Sequence, residues 1–359
     1  MKVLSLFDWI SCWMLALERA WIKVDVYYAS EIDKYAQIVS EKNYPNIVRL
    51  WDVNNWREWD LWEIDLIIGW SPCQWFSFAG KQLAFDDPRS KLFFTMVDII
   101  NHYKPRYFLL ENVKMKKEFQ DVITQYMWVQ PIEINSSLVS AQNRKRLYWT
   151  NIPWIKQPID KKIYLKDIIQ SWYYNWKECA DKICKIEVSE SVKVRKYMVN
   201  VEKLKITLRE NKYYTCKEIA EELHQPITLV EHRFRKDKSF AIPNPEVRPI
   251  LKKLLGIQTN EFDKSIMEFE IRDGKFEMAK RVYNINGKSP TITTITWWKQ
   301  KKIIDDNEQI RELTPIECER LQTVPDNYTS WISDSQRYKM LWNWWTVDVI
   351  AHIFSYIQK

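Results

Sequence analysis

The sequence predicts an α/β fold built on a doubly wound, mostly parallel sheet. Short apolar, β-branched runs recur along residues 2–151, as buried parallel strands require. Stretches of helical periodicity separate them, which is the alternation of strands with covering helices. The runs also end in residues able to do chemistry, and open α/β sheets gather chemistry beyond the carboxyl ends of their strands.

Val3–Phe7, Val24–Ala29, Asp65–Gly69 and Tyr107–Leu110 read as the parallel strands. Met14–Ala20, Lys34–Tyr44, Lys91–Tyr103 and Lys116–Tyr126 read as the helices between them. From about residue 155 this alternation is lost, and residues 160–300 are Lys-rich, with Pro243, Pro245 and Pro249 clustered. Thr314–Leu321 then reads as a helix capped by Thr314, with Pro315 at its first position. Val347–Ile357 reads as a final helix. The expected borders are a catalytic region over 1–155, an inserted region over 156–305 and a C-terminal return over 306–359.

Within the insert, Thr215 and Glu218 form a capping box ahead of Ile219, Ala220 and Leu223, which share one face. After His224-Gln225-Pro226, Val230 and Phe234 share the face of a second helix. This unit, near 215–236, is similar to a helix-turn-helix. Its second helix is expected to carry Arg233, Arg235 and Lys236 toward DNA. An ordinary helical hairpin with a solvated basic face is the competing reading.

The net charge of +7 suits a polyanionic partner. No apolar run approaches the 18 residues a membrane span needs. The N-terminus enters a strand at once, so no leader is expected and the expected location is cytoplasmic. The 6 Cys are scattered with no Cys-x-x-Cys pair, so free thiols and no metal site are expected.

Two strand tips carry the chemistry. Asp65–Gly69 leads into Ser71-Pro72-Cys73-Gln74, where Pro72 stiffens the turn and Cys73 is presented as a nucleophile. Tyr107–Leu110 leads into Glu111-Asn112, a carboxyl placed for proton donation. A structural Cys and a helix-capping Glu-Asn pair are the bland readings.

With these elements the chain resembles the cytosine carbon-5 DNA methyltransferases. The resemblance covers roughly the first 155 residues and the last 50. It is carried, in the family's order, by residues 6–13, 30–33 and 51–53, by Pro72-Cys73-Gln74, by Glu111-Asn112-Val113, by residues 142–146, by residues 311–322 and by residues 341–347. Leu6-Phe7-Asp8 and Trp345-Thr346-Val347 lean toward the de novo type and its phage and bacterial relatives. The resemblance implies a Rossmann-like S-adenosylmethionine-dependent methyltransferase sheet with a smaller inserted target-recognition domain. Cys73 is then the nucleophile that adds to cytosine carbon 6. Glu111 protonates ring nitrogen 3, Arg146 reaches the cytosine oxygen, and Arg144 supports the nucleophile loop. Phe7 lies on the cofactor's adenine, Glu31 takes the ribose hydroxyls, and Asp52 accepts from the adenine amino group. Asn343 and Thr346 close the methionine end, and Asp8, Trp9, Ile32, Val53, Pro72 and Trp345 complete the cofactor set. Gln74 and Ser77 join the basic residues of the insert as DNA contacts. The implied partner is double-stranded DNA, with a cognate restriction endonuclease as a further candidate. The competing functions are an RNA cytosine-5 methyltransferase and a catalytically dead DNA-binding homologue.

One departure stands out. Trp9, Trp13, Trp51, Trp70, Trp75, Trp297, Trp298, Trp342 and Trp344 occupy positions where the family's pattern has Gly. The chain has 5 Gly and 20 Trp, against about 25 Gly expected from an average near 7%. Trp149 and Trp345 fit the family as true Trp. UGA is read as Trp in some genetic codes and as Gly in another, so most of these Trp are expected to be misread Gly codons. The alternative is an inactive chain whose Trp are real.

Overall fold

The strands predicted from the N-terminal half assemble side by side in one sheet. The structure is a computed structural model that describes residues 1–70, 90–170, 193–197, 201–237, 239–243, 247–259, 267–271, 281–292, 302–304 and 310–357. β1 (Lys2–Leu6), β2 (Val26–Ser30), β3 (Val48–Arg49), β4 (Leu66–Trp70), β5 (Tyr107–Val113), β6 (Ile132–Asn135) and β8 (Lys145–Thr150) form it, and the two-residue β7 (Gln142–Asn143) precedes β8. The strand order is β3-β2-β1-β4-β5-β8-β6. The first five run parallel. β8 runs antiparallel to β5, and β6 antiparallel to β8. The order reverses between β1 and β4, the switch point where open α/β sheets bind ligands.

α1 (Cys12–Arg19), α2 (Lys34–Asn43), α3 (Ser90–Tyr103) and α4 (Lys117–Met127) follow the predicted helical stretches closely. Asp33 caps α2 by accepting from the Tyr35 and Ala36 backbone N–H groups. Leu4, Leu6, Ile67, Phe93, Leu110 and Trp149 belong to one buried cluster in this region. Gly69 is required by close approach: a Cβ there would meet the Leu6 carbonyl oxygen at 3.0 Å and Met96 Sδ at 3.2 Å. β2 starts at Val26 rather than Val24. β5 runs on through Glu111 and Asn112, because β8 extends the ladder by pairing Tyr148 with Glu111 and Leu147 with Asn112.

The chain divides into two compact units. The second, Tyr173–Ser289 with Lys301–Glu312, holds α5 (Val201–Glu210), α6 (Cys216–Glu222), α7 (Ile227–His232) and α8 (Arg248–Leu254). It also holds β9 (Lys193–Tyr197), β10 (Met267–Ile271), β11 (Arg281–Asn284), β13 (Lys302–Ile304) and β14 (Ile310–Glu312), in the order β14-β13-β11-β10-β9. The two-residue β12 (Ser289–Pro290) stands where the chain passes from this unit to the next segment. No strand was legible in this Lys-rich stretch.

The first unit comprises Met1–Trp172, Pro290–Gln300 and Leu313–Lys359. It extends past residue 155 and is re-entered before the final return. That return holds α9 (Pro315–Leu321), α10 (Asp334–Asn343) and α11 (Val347–Phe354). α9 has the predicted Thr314 cap and Pro315 start, completed by Glu317 in a capping box. α11 stops at Phe354 rather than Ile357. It packs on α1, and Arg19 Nη1 binds Asp348 Oδ1 at 2.7 Å. No described helix is long and apolar enough to cross a membrane.

Candidate active site

A cleft of about 260 Å³ opens beyond the carboxyl ends of β1 to β4. Phe7, which follows β1, Glu31 and Ile32, which follow β2, and Asp52 and Val53, which follow β3, all line it. The sequence reading had named these five. Ser30, Trp51, Asn54, Trp70 and Leu92 line it as well. Most of these lie one or two residues from a predicted site residue, so their placement past strand ends was the available signal.

Glu31 is half-buried and turns its carboxyl inward. Oε2 accepts from the Trp9 backbone N–H at 2.9 Å, and Oε1 from Ile32 N at 2.9 Å and Asp33 N at 2.7 Å. Desolvation nonetheless pushes this carboxyl up to about 7, the backbone donors offsetting only part of it. Asp52 accepts from both the backbone and side-chain N–H of Asn54 at 2.9 Å, which fixes the turn after β3. Asp8 has a different position from its neighbours. It is fully buried, accepts from Tyr27 Oη at 2.5 Å and from Ser11 Oγ, and ties the β1–α1 turn to β2. Burial raises its carboxyl too. It lines only a pocket of about 10 Å³ beside Trp9 and Glu31, room for no more than one water.

Two indoles, Trp9 and Trp70, also line the cleft. Trp9 Nε1 donates to the Met340 carbonyl at 3.0 Å, and Trp70 Nε1 donates to the Phe7 carbonyl at 2.8 Å. The two rings meet edge to face at 6.0 Å. Lys339 Nζ, paired with Asp33 at 2.9 Å, sits 5.8 Å from the Trp9 ring. Behind them, Trp13 lies 4.0 Å from the ring of Trp345 and 6.0 Å from that of Trp344. The indole N–H groups of Trp13, Trp344 and Trp345 are buried and have no partner among the described residues.

Trp70, the last residue of β4, pairs in register with Glu111 on β5. Glu111 is buried, and Arg146 Nε stands 3.1 Å from its Oε1. Burial raises the Glu111 carboxyl, and the Arg146 and Arg144 charges pull it partly back. The two arginines bond to different partners. The ladder breaks at Arg144, between β7 and β8, and Arg144 turns to the C-terminal return. Its Nη2 donates to the Trp342 carbonyl at 3.1 Å and to that of Trp344. Arg144 therefore braces residues 342–344 while Arg146 holds Glu111. Pro72, Cys73, Gln74 and Ser77, with Trp75, Trp297 and Trp298, lie outside the described residues.

Asn343 ends α10, and neither it nor Trp345 or Thr346 lines the cleft. Thr346 Oγ1 donates to Ser136 Oγ at 2.8 Å, and Gln322 Nε2 donates to the Leu341 carbonyl at 2.7 Å. Ser136 and Gln322, which the sequence reading missed, thus anchor the segment that includes Thr346.

In the second unit, Leu204, Ile219, Leu223, Val230, Leu251 and Leu255 pack into one core around the predicted helix pair. The Thr215–Glu218 capping box is present. Arg235 and Lys236 are exposed. Arg233 is not: it is 2% exposed and its Nη2 donates to Gln225 Oε1. The face shared with Val230 turns Arg233 inward, which corrects its expected place toward DNA.

The whole chain, residues 1–359, matches the family described as C-5 cytosine-specific DNA methylase. The orphan methyltransferase M.SPRI of Bacillus phage SPR is 26% identical, over 100% of this chain and 99% of its own length. The type II methyltransferase M.NlaIV of Neisseria lactamica is 27% identical, over 98% of this chain and 97% of its own. Among solved structures, the Entamoeba histolytica methyltransferase EhMeth superposes with a TM-score of 0.60 at 15% identity, covering 99% of this chain and 97% of that one. The sheet order, the cleft at its switch point and the Glu111–Arg146 pair thus stand on a chain that belongs to the C-5 cytosine-specific DNA methylase family.

Proposed function

We propose that this DNA cytosine-5 methyltransferase works through a covalent Cys73 adduct on a cytosine flipped out of the duplex, with S-adenosylmethionine as methyl donor. The observation that carries the reading is Glu111, a buried carboxyl held by Arg146 in register with the end of the strand that leads to Cys73. The duplex hides carbon 5, so the base must leave the stack to reach such a group.

The residues divide the work. The Cys73 thiolate adds to cytosine carbon 6, forming a C–S bond. As it adds, the C5–C6 π pair becomes a C4–C5 double bond, and the C4–N3 π pair takes the Glu111 proton at ring nitrogen 3. Burial favours the protonated form of Glu111, the Arg146 and Arg144 charges offset part of that, and Arg146 fixes the carboxyl's direction. Carbon 5, now enamine-like, is the nucleophile for methyl transfer. A base, for which ordered water suffices, then takes the carbon-5 proton, the C5–C6 double bond re-forms as the Cys73 thiolate leaves, and nitrogen 3 returns its proton to Glu111.

S-adenosylmethionine supplies an electrophilic methyl group when bound. The cleft's aromatic Phe7 and its acidic Glu31 and Asp52 suit an adenosine, with hydroxyls for Glu31 and an amino group for Asp52. Trp9 and Trp70 also line the cleft, so the walls that match are those for the adenosine end. The second unit serves as the target-recognition region, with Arg235 and Lys236 as phosphate contacts. Bisulfite sequencing of DNA from cells producing the native protein tests the reading. Protected cytosines in a recurring sequence context are expected, and a methylation-free genome contradicts it.

A further inference from the structure

A left-handed backbone crowds any residue with a Cβ, and for a bulky side chain it is an outlier. Thirteen non-glycine residues among those described have positive φ, and five are Trp: Trp9, Trp21, Trp51, Trp128 and Trp154, at φ 56°, 57°, 61°, 54° and 63°. Trp fills 20 of 359 positions, so chance placement puts roughly one there. Packing does not hold three of these side chains in place. Trp21, Trp128 and Trp154 are 84%, 75% and 82% exposed, although Trp is on average a highly buried residue type.

An internal comparison sharpens the point. At the end of α1, Trp21 N donates to the Glu18 carbonyl and Ile22 N to the Leu17 carbonyl, both at 3.0 Å. At the end of α8, Gly256 N donates to Lys253 at 3.3 Å and Ile257 N to Lys252 at 2.9 Å. The closure is the same, with Gly256 at φ 65° where Trp21 stands at 57°. Trp128 is the left-handed cap of α4. His224 and Thr323 close α6 and α9 in the same way, so the conformation alone does not demand glycine. The enrichment of the bulkiest side chain is what discriminates.

We infer that the native protein carries glycine at residues 9, 21, 51, 128 and 154, where its gene uses a codon rendered as Trp in this sequence. Trp21, Trp128 and Trp154 belong to none of the family-like motifs and rest on backbone geometry alone. The consequence at Trp9 rests on the proposed cofactor reading as well. Trp9 lines both the cleft and the small pocket beside Asp8 and Glu31. Without its indole the two become one continuous space with Glu31 at its centre.

Peptide mass spectrometry of the protein from its own host reads the residues directly. Gly at 21, 128 and 154 is expected, and Trp at these three overturns the inference. A second test compares the chain as given with its Trp21→Gly, Trp128→Gly, Trp154→Gly variant, both from synthetic genes. The variant's Tm should rise by roughly 5–10 °C, and an unchanged or lower Tm counts against the inference. Neither readout involves methyl transfer, so their failure is distinct from failure of the methyltransferase reading. For the cleft, Trp9→Gly should tighten S-adenosylmethionine binding by calorimetry at least about tenfold, and equal affinity rejects the joined cavity.

Discussion

Glu31 and Glu111 stand at the same edge of one sheet, and burial raises both carboxyls, yet their partners differ in kind. Among the described residues, the Glu31 carboxyl accepts only from backbone N–H groups, those of residues 9, 32 and 33. Glu111 meets a guanidinium at 3.1 Å and feels a second from Arg144. The first arrangement suits a carboxyl that exchanges its donors for ligand hydroxyls. The second suits a carboxyl that is aimed, desolvated and able to part with a proton while its charge is stabilised afterwards. The same side chain at two strand ends of one sheet is thus set to bind in one case and to transfer a proton in the other.

The sharpest way to break this comparison is to remove the chemistry and leave the binding. Cys73→Ser should abolish turnover while DNA affinity, measured by gel shift, stays within a few-fold. These measurements belong on protein from its own host or on the chain with the five glycines restored. Glu111→Gln keeps the shape but cannot supply the proton, so kcat should fall about 10²–10⁴-fold with little change in cofactor affinity. Glu31→Gln should do the reverse. Cofactor affinity should weaken about 10–100-fold by calorimetry, with kcat at saturation largely kept.

The Glu31 carboxyl also gives the comparison a pH axis. Its folded value of about 7 lies above its ordinary 4.5. It therefore holds a proton in the fold that the unfolded chain has lost between those values. Its contribution to stability falls as pH rises from about 4.5 to 7. Cofactor binding that needs the carboxylate runs the other way, weakening about tenfold for each unit below pH 7. In Glu31→Gln that slope should flatten. A wild-type affinity that is constant from pH 6 to 8 would remove Glu31 from the ribose site.

The smallest effects belong to the second unit. Arg235→Ala with Lys236→Ala should reduce the slope of log affinity for DNA against log salt by up to about 2. Arg233→Ala should instead cost about 1–3 kcal/mol of stability, since it removes a buried group bonded to Gln225. Equal salt slopes for the unaltered chain and both variants would return that helix pair to the status of a plain scaffold.

Residues that act through their position past a strand were the most legible. Phe7, Glu31, Ile32, Asp52 and Val53 could be named because the resemblance to the family's motifs covers them, and short apolar runs had marked β1 and β2 ahead of the first three. Thr314–Pro315 and Thr215–Glu218 were legible because capping chemistry is local. The bonds of Arg144 to the Trp342 and Trp344 carbonyls were not legible, because a break in the ladder between β7 and β8 leaves no trace in residue spacing. Arg233 was misread because a long cationic side chain can fold back over its own helix pair, which only packing reveals. The five-stranded sheet of the second unit was invisible because its strands, such as Lys193–Tyr197, mix charged and apolar residues in short stretches. Trp21, Trp128 and Trp154 carried no signal until their backbone angles were known.

The central claim is a covalent cytosine adduct on Cys73, and trapping tests it most directly. Fluorine at cytosine carbon 5 blocks the final elimination, so the adduct persists after methyl transfer. The protein incubated with S-adenosylmethionine and duplex DNA containing 5-fluorocytosine should form a complex that survives denaturing electrophoresis, and Cys73→Ser should form none. A denaturation-resistant complex with Cys73→Ser would contradict the account.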